Sequence, residues 1–131
     1  MVSRVGLGLM GMSSVYGAAD ETESIATIKA ALDAGVTLLD TGDFYGMGHN
    51  EMLLGRALQG VPRDSVFIQV KFGARRDPGG AFLGFSATPE AVKSSLAIRC
   101  AGWTPTMSTC TSRPGWTQTC RSRTRSAPSG R

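Results

Sequence analysis

Apolar residues along the chain alternate between short runs and a spacing of three to four, and the alternation repeats three times. RVGLGL (4–9) is a brief apolar run broken by glycines and reads as a strand. DETES (20–24) supplies a capping side chain and first-turn acids, after which Ile25, Ile28 and Leu32 recur at helical spacing. Ala30, Ala31 and Ala34 keep this helix slim until Gly35 stops it. VTLLD (36–40) reads as a strand that ends at Asp40, of the kind that a parallel sheet buries on both faces. NEMLLGRAL (50–58) predicts a second helix, with Met52, Leu53 and Leu58 apolar and Gly60 beyond them. SVFIQVKFG (65–73) is rich in β-formers and predicts a third strand, and RRDPGGAFLGFS (75–86) reads as a long glycine-rich loop. In TPEAVKSSL (88–96) Thr88 can cap a helix whose first position is Pro89, and Val92 pairs with Leu96 one turn on.

The predicted order is βαβαβα, which indicates a parallel sheet with crossover helices, either open or closed into a barrel. Asp40, Tyr45 and Lys71 all fall at or just after the C-terminal ends of predicted strands. Both architectures build their active sites there.

Composition changes the picture beyond residue 96. Residues 1–96 carry 10 acidic and 8 basic side chains, whereas 97–131 carry six arginines and no acid, so the formal charge of +4 comes from the tail. That segment has no helical or strand period, seven threonines and five serines, and reads as a basic low-complexity tail without stable structure. A shifted reading frame is the competing explanation. Tryptophan has one codon, so joining the last base of each codon to the first two of the next forces an aspartate at Trp103/Thr104 and at Trp116/Thr117. The code permits a shifted reading that continues the helix, then gives a strand, a loop and a further helix start. The expected organisation is thus 1–96 as three strand and helix units and 97–131 as an out-of-frame tail, which the nucleotide sequence across codons 94–100 checks.

At 131 residues the chain has room for one domain and not for eight strand and helix pairs. Cys100, Cys110 and Cys120 are odd in number, widely spaced and without a nearby histidine, which favours neither a disulfide framework nor a zinc site. No apolar run approaches about 18 residues, and the N-terminal apolar run is too short for a secretion signal, so a cytoplasmic location without membrane association is expected.

A proton donor to a carbonyl oxygen needs its pKa brought toward the working range, which a lysine ammonium beside a tyrosine can do, and a carboxylate holds that lysine in place. Asp40, Tyr45 and Lys71 are of these types. Singly, Asp40 also fits a strand-end or capping acid, Tyr45 a loop aromatic and Lys71 a solvated strand end. Their shared position favours the joint reading. On these residues the chain resembles the aldo-keto reductases: GLGLMGMS is similar to the family's first-strand segment, LLDTGDFYGMGHNEMLLGRAL to its second strand and active-site loop, and FIQVKFG to its third strand.

The resemblance implies an N-terminal fragment, about the first third, of a (β/α)8 TIM barrel that uses NADPH to reduce an aldehyde or ketone. It implies Tyr45 as proton donor, Lys71 as the residue that lowers its pKa, and Asp40 as the partner of Lys71. It further implies coenzyme contacts at Leu9, Met10 and Asp40, no metal, and a small carbonyl substrate. The histidine that the family has at the end of its fourth strand has no counterpart here, and the shifted reading has an alanine there. The chain by itself is expected to be inactive and, with an open sheet edge and an uncovered apolar face, to self-associate.

Other residues carry blander readings. Gly6, Gly8 and Gly11 make a G-x-G-x-x-G, but no helix follows directly, so tight packing at the first strand is favoured over a Rossmann phosphate loop. His49 reads as an ordinary residue before the second helix or one near a substrate opening, and Glu51 as a brace at the helix start. Phe44, Met47 and Phe72 are of types that line an opening or simply pack. Two other function classes remain: nucleic-acid binding through the arginine-rich tail, recognisable by salt-dependent retention, and a small Rossmann-like dinucleotide binder confined to 1–96.

Overall fold

The computed structural model describes residues 1–13, 16–102, 110–112 and 117–120, with side chains as far as residue 97. Strand and helix alternate as predicted through β1 (Gly6–Gly8), α1 (Glu21–Asp33), β2 (Leu38–Gly42), α2 (His49–Ala57), β3 (Phe67–Lys71) and α3 (Pro89–Gly102). β1, β2 and β3 are parallel neighbours in that order, with Gly8 opposite Asp40, Asp40 opposite Gln69 and Gly42 opposite Lys71.

Local chemistry sets the helix ends. Asp20 caps α1 by accepting from the Glu23 amide at 2.7 Å, and the helix gives way at Gly35, whose φ of +85° is left-handed. Thr88 accepts from the Ala91 amide at 3.3 Å ahead of Pro89, as its position suggested.

The core forms where alternate strand residues meet the helices. Leu39, Ile68 and Val70 are packed with Leu9, Ile28, Leu53, Leu54, Ala57 and Val66, and Thr41 is buried on the same strand face. Residues one step along face the other way, where Leu38, Asp40, Phe67, Gln69 and Lys71 are only half-buried. The expectation that 36–40 is buried on both faces is therefore corrected, because the buried set lies on the face shared with α1 and α2 alone. Gly6 lies tight against this sheet, since a Cβ there would meet the Leu38 side chain at 2.9 Å, whereas a Cβ on Gly8 would meet nothing within 4 Å. The packing reading of the glycine motif thus holds for Gly6.

Three boundaries differ from the sequence expectation. β2 does not end at Asp40 but runs to Gly42, because Thr41 and Gly42 still pair with Val70 and Lys71 of β3. The segment expected to be a loop contains a hairpin, β4 (Ala74–Arg76) and β5 (Phe82–Phe85), with Ala74 opposite Phe85. Its turn is closed by Asp77, whose side chain accepts from the Ala81 amide at 2.8 Å and whose carbonyl accepts from the Gly80 amide at 2.9 Å. Asp-Pro-Gly-Gly is turn chemistry, and it outweighs the glycine count that suggested an unstructured loop.

α3 also continues across the change in composition at 97, through a stretch with Ala97, Arg99 and Ala101, which are good helix formers. Within the segment expected to lack structure, two short strands are described, β6 (Cys110–Ser112) and β7 (Thr117–Cys120). β7 lies antiparallel to β3, and β6 lies antiparallel to β7. A parallel strand such as β3 offers a row of backbone groups to any β-compatible segment, and the threonines of β7 suit that pairing. The remainder of the expected tail lies outside the described residues.

Candidate active site

Asp40, midway along β2, and Lys71, the last residue of β3, lie on the half-buried face of the sheet. An ion pair and hydrogen bond join the Lys71 ammonium to Asp40 Oδ2. The chain turns immediately after Gly42, and Tyr45 begins a short 3₁₀ turn over Tyr45–Gly48 that returns its ring to the same place. The ring is 4% exposed, and Lys71 Nζ is 5.8 Å from its centroid. Phe44 meets it edge-on, with centroids 4.8 Å apart.

Gly42 is the seat of that ring. A Cβ on Gly42 would fall 3.1 Å from Cε1 and Cζ of Tyr45, while its backbone is ordinary strand, so the absent side chain makes room for the ring rather than for a special conformation. The three residues singled out from the sequence are therefore together.

Electrostatics follow from this contact. Burial acts to lower the Lys71 pKa, but the hydrogen bond that Lys71 donates to Asp40, the negative charge of Asp40 and smaller contributions from Tyr45 outweigh it and hold Lys71 above the ordinary lysine range. A native pKa raised above the unfolded one contributes stability that is complete below the unfolded value and is lost as pH rises through the native value. Because the Lys71 side chain is 41% exposed, solvent screens the pair and the contribution is small. The difference in urea midpoint between the parent chain and Lys71→Met is expected to be constant at neutral pH and to shrink above about pH 10.4, the ordinary lysine value; a difference that grows there would contradict the pairing.

Asp40 Oδ1 is buried and has no hydrogen-bond partner among the described residues, so this acceptor is open to a further donor. Beside the site a cleft of about 350 Å³ is lined by Phe44, Met47, Gly48, Arg76 and Ser95 among others. Met47 is half in solvent with a left-handed φ of +56°, which is uncommon for a side chain of its size. Arg76 donates to the Gly80 carbonyl at 2.7 Å. Phe44 and Met47 thus line an opening, and Phe72 is half-buried elsewhere.

The remaining candidates are placed less directly. Leu9 has a fully buried side chain in the core, its N–H donates to the Asp40 carbonyl, and its own carbonyl accepts from Asn50. Met10 is half-buried at the start of the turn after β1. His49 is the first residue of α2, with Nδ1 3.0 Å from Ser13 Oγ and Nε2 3.8 Å from Glu21, which also pairs with Arg56 at 2.9 Å. These contacts tie α2 to α1. Glu51 is buried in the first turn of α2.

Sequence reasoning missed Asn50 and Thr41. Thr41 donates to Asn50 Oδ1 at 2.6 Å, and Asn50 Nδ2 donates to the Leu9 carbonyl at 2.8 Å and to Ser13 Oγ at 2.7 Å. Nothing in the sequence set them apart, since Thr41 stands between Asp40 and Gly42 and Asn50 between His49 and Glu51. α1 begins with the Asp20 carboxylate at its N-terminus, the position a phosphate would need under the Rossmann reading.

Against known proteins, the family model described as "Aldo/keto reductase family" matches residues 4–100. "Probable aldo-keto reductase 1" of Glycine max is 38% identical over 94 residues, 71% of this chain and 27% of that protein. "Aldo-keto reductase yakc [NADP(+)]" of Schizosaccharomyces pombe is 33% identical over 98 residues, 74% of this chain and 29% of that protein. The chain thus spans less than a third of the length of these curated relatives. Among solved structures, the holo form of aldo-keto reductase AKR11C1 from Bacillus halodurans superposes with a TM-score of 0.66 at 28% identity, over 76% of this chain and 32% of that one. Glycerol dehydrogenase AKR11B4 from Gluconobacter oxydans superposes with a TM-score of 0.64 at 30% identity over the same shares. Their fold is the (β/α)8 barrel, of which the three parallel strand and helix units here are a part.

Proposed function

Since the chain belongs to the aldo/keto reductase family, with residues 4–100 matching its model, we propose that residues 1–96 carry the proton-transfer apparatus of an NADPH-dependent aldehyde or ketone reductase. The observation that carries this reading is the meeting of Asp40 on β2, Lys71 at the end of β3 and Tyr45 in the turn after β2. Tyr45 donates its hydroxyl proton to the carbonyl oxygen of the substrate. Lys71 stabilises the tyrosinate left behind, and Asp40 keeps the ammonium charged and in position. The burial of Tyr45 excludes bulk water from that transfer.

The residues present fit a coenzyme on the half-buried face. The unpartnered Asp40 Oδ1 can accept a hydroxyl or amide proton, and beside it Gly8 leaves open space where a side chain would stand. Asp40 and the backbone around Gly8, Leu9 and Met10 would hold its nicotinamide end, where the coenzyme supplies a hydride. The phosphorylated form is favoured by the NADP(+) in the name of the Schizosaccharomyces pombe relative. The substrate is a small carbonyl compound entering by the cleft at Phe44 and Met47.

The same reading takes 1–96 as the family-like unit and 97–131 as a separate, out-of-frame tail, supported by a family match that ends at residue 100. The 131-residue polypeptide by itself is proposed to be inactive and to self-associate through the half-exposed face at Leu38 and Phe67. The test is a chimera in which residues 4–96 replace the matching segment of the Glycine max relative. NADPH consumption with a panel of aldehydes and ketones is expected from the chimera and not from the 131-residue chain. A soluble chimera that binds NADPH and reduces none of them would refute the proposal.

A further inference from the structure

Asp40 has a weakness as a catalytic partner: one carboxylate oxygen is spent on Lys71, and the other has no hydrogen bond among the described residues. Among the described residues no donor other than Lys71 engages the carboxylate, so its direction otherwise depends on the backbone that carries it. That backbone lies where the ladder thins. β1 ends at Gly8, opposite Asp40, and past that point Thr41 and Gly42 are paired only on the β3 side. On the β1 side the last link is the Leu9 amide, which donates to the Asp40 carbonyl at 2.9 Å.

One fully buried amide holds both residues that could let Asp40 move. Asn50 Oδ1 accepts from the hydroxyl of Thr41, the next residue along, and Asn50 Nδ2 donates to the carbonyl of Leu9, the residue bonded to Asp40. A second Nδ2 bond, to Ser13 Oγ, fixes the amide to the turn after β1. Among the described residues this side chain bonds to Thr41, to the Leu9 carbonyl and to Ser13, and it is fully buried. We propose that Asn50 is a positioning residue for the reaction: it clamps the backbone on both sides of Asp40 and thereby aims the carboxylate at Lys71. The inference rests on the proposed role of the Asp40, Lys71 and Tyr45 group, and it extends that group to a side chain on α2 that touches none of the three.

Lys71 itself provides the readout, because the groups facing it are Asp40 and Tyr45, and its raised pKa reports how closely Asp40 is held. The chain has three lysines, Lys29, Lys71 and Lys93, so the 131-residue protein labelled with ¹³C at the lysine ε carbon gives few resonances, with Lys71 assigned by its loss in Lys71→Met. Asp40→Asn sets the scale by lowering the Lys71 midpoint. Asn50→Leu, similar in size and without charge, is expected to lower it by roughly half of that drop or more. Thr41→Val, which keeps the shape and removes only one bond of the clamp, is expected to lower it by less. Leu54→Ala loosens the same helix without touching the amide and is expected to leave Lys71 where it was.

A Lys71 midpoint unchanged in Asn50→Leu and Thr41→Val overturns the proposal. If Asn50→Leu does not fold, Thr41→Val decides by the same measure. Should Asp40→Asn itself leave Lys71 unmoved, the ion pair fails and the proposed function goes with it. If Asp40→Asn lowers the midpoint and neither clamp variant does, only the role of Asn50 is lost.

Discussion

Leu39→Ala is expected to destabilise the chain by about 2–5 kcal/mol, the range for emptying a well-packed core position. Leu39 lies in the middle strand, opposite Leu7 of β1 and Ile68 of β3, with no exposed surface, at the point where the sheet meets α1 and α2. Its neighbours are held by three parallel strands and cannot collapse into the space, so the cavity remains. Against a total of about 5–15 kcal/mol for an ordinary domain this is a large share, and the variant should unfold at markedly lower urea or be recovered only as aggregate. Leu83→Ala, at an exposed position of the hairpin, is the matched control and should change stability by no more than about 0.5 kcal/mol. A Leu39→Ala chain as stable as that control would mean that the core is not organised around β2.

Tyr45→Phe, in the chimera carrying residues 4–96, is expected to lower kcat by about 10²–10⁴-fold, the usual range for a positioned acid. The ring still fits the seat over Gly42 and the edge of Phe44, so packing is preserved and only the hydroxyl is lost. NADPH affinity should change little, because the proposed coenzyme contacts are at Asp40 and near Gly8. Lys71→Met should lower kcat in the same direction, since the charge beside Tyr45 disappears together with the partner of Asp40. Retention of kcat in Tyr45→Phe would remove the proton donor from the mechanism and leave the family resemblance without its chemistry.

The hairpin and the end of β2 mark the limits of reading one strand at a time. The stretch 75–86 reads as a glycine-rich loop, and strand pairing across its Asp-Pro-Gly-Gly depends on Phe82 and Phe85 finding Arg76 and Ala74, which is a matter of register. Thr41 and Gly42 look like the start of a loop until β3 supplies partners for both. Asn50 carries a stronger form of the same lesson. Its amide donor and acceptor are visible in the sequence, but its partners are Leu9, Ser13 and Thr41, 9 to 41 residues away.

The sequence by itself determined the βαβαβα order of β1, α1, β2, α2, β3 and α3, the caps at Asp20 and Thr88, and the choice of Asp40, Tyr45 and Lys71 as residues that lie together. Those follow from periodicity and from side-chain type, which are local. Only the tertiary structure decided which strand face the helices bury, that Gly42 gives Tyr45 its seat, that one acceptor of Asp40 has no partner among the described residues, and that Asn50 bonds to Thr41 of β2 and to Leu9 just past β1. Each of these depends on which residues the parallel register brings opposite one another, and register is set by the packing of the whole sheet against α1 and α2 rather than by any single segment.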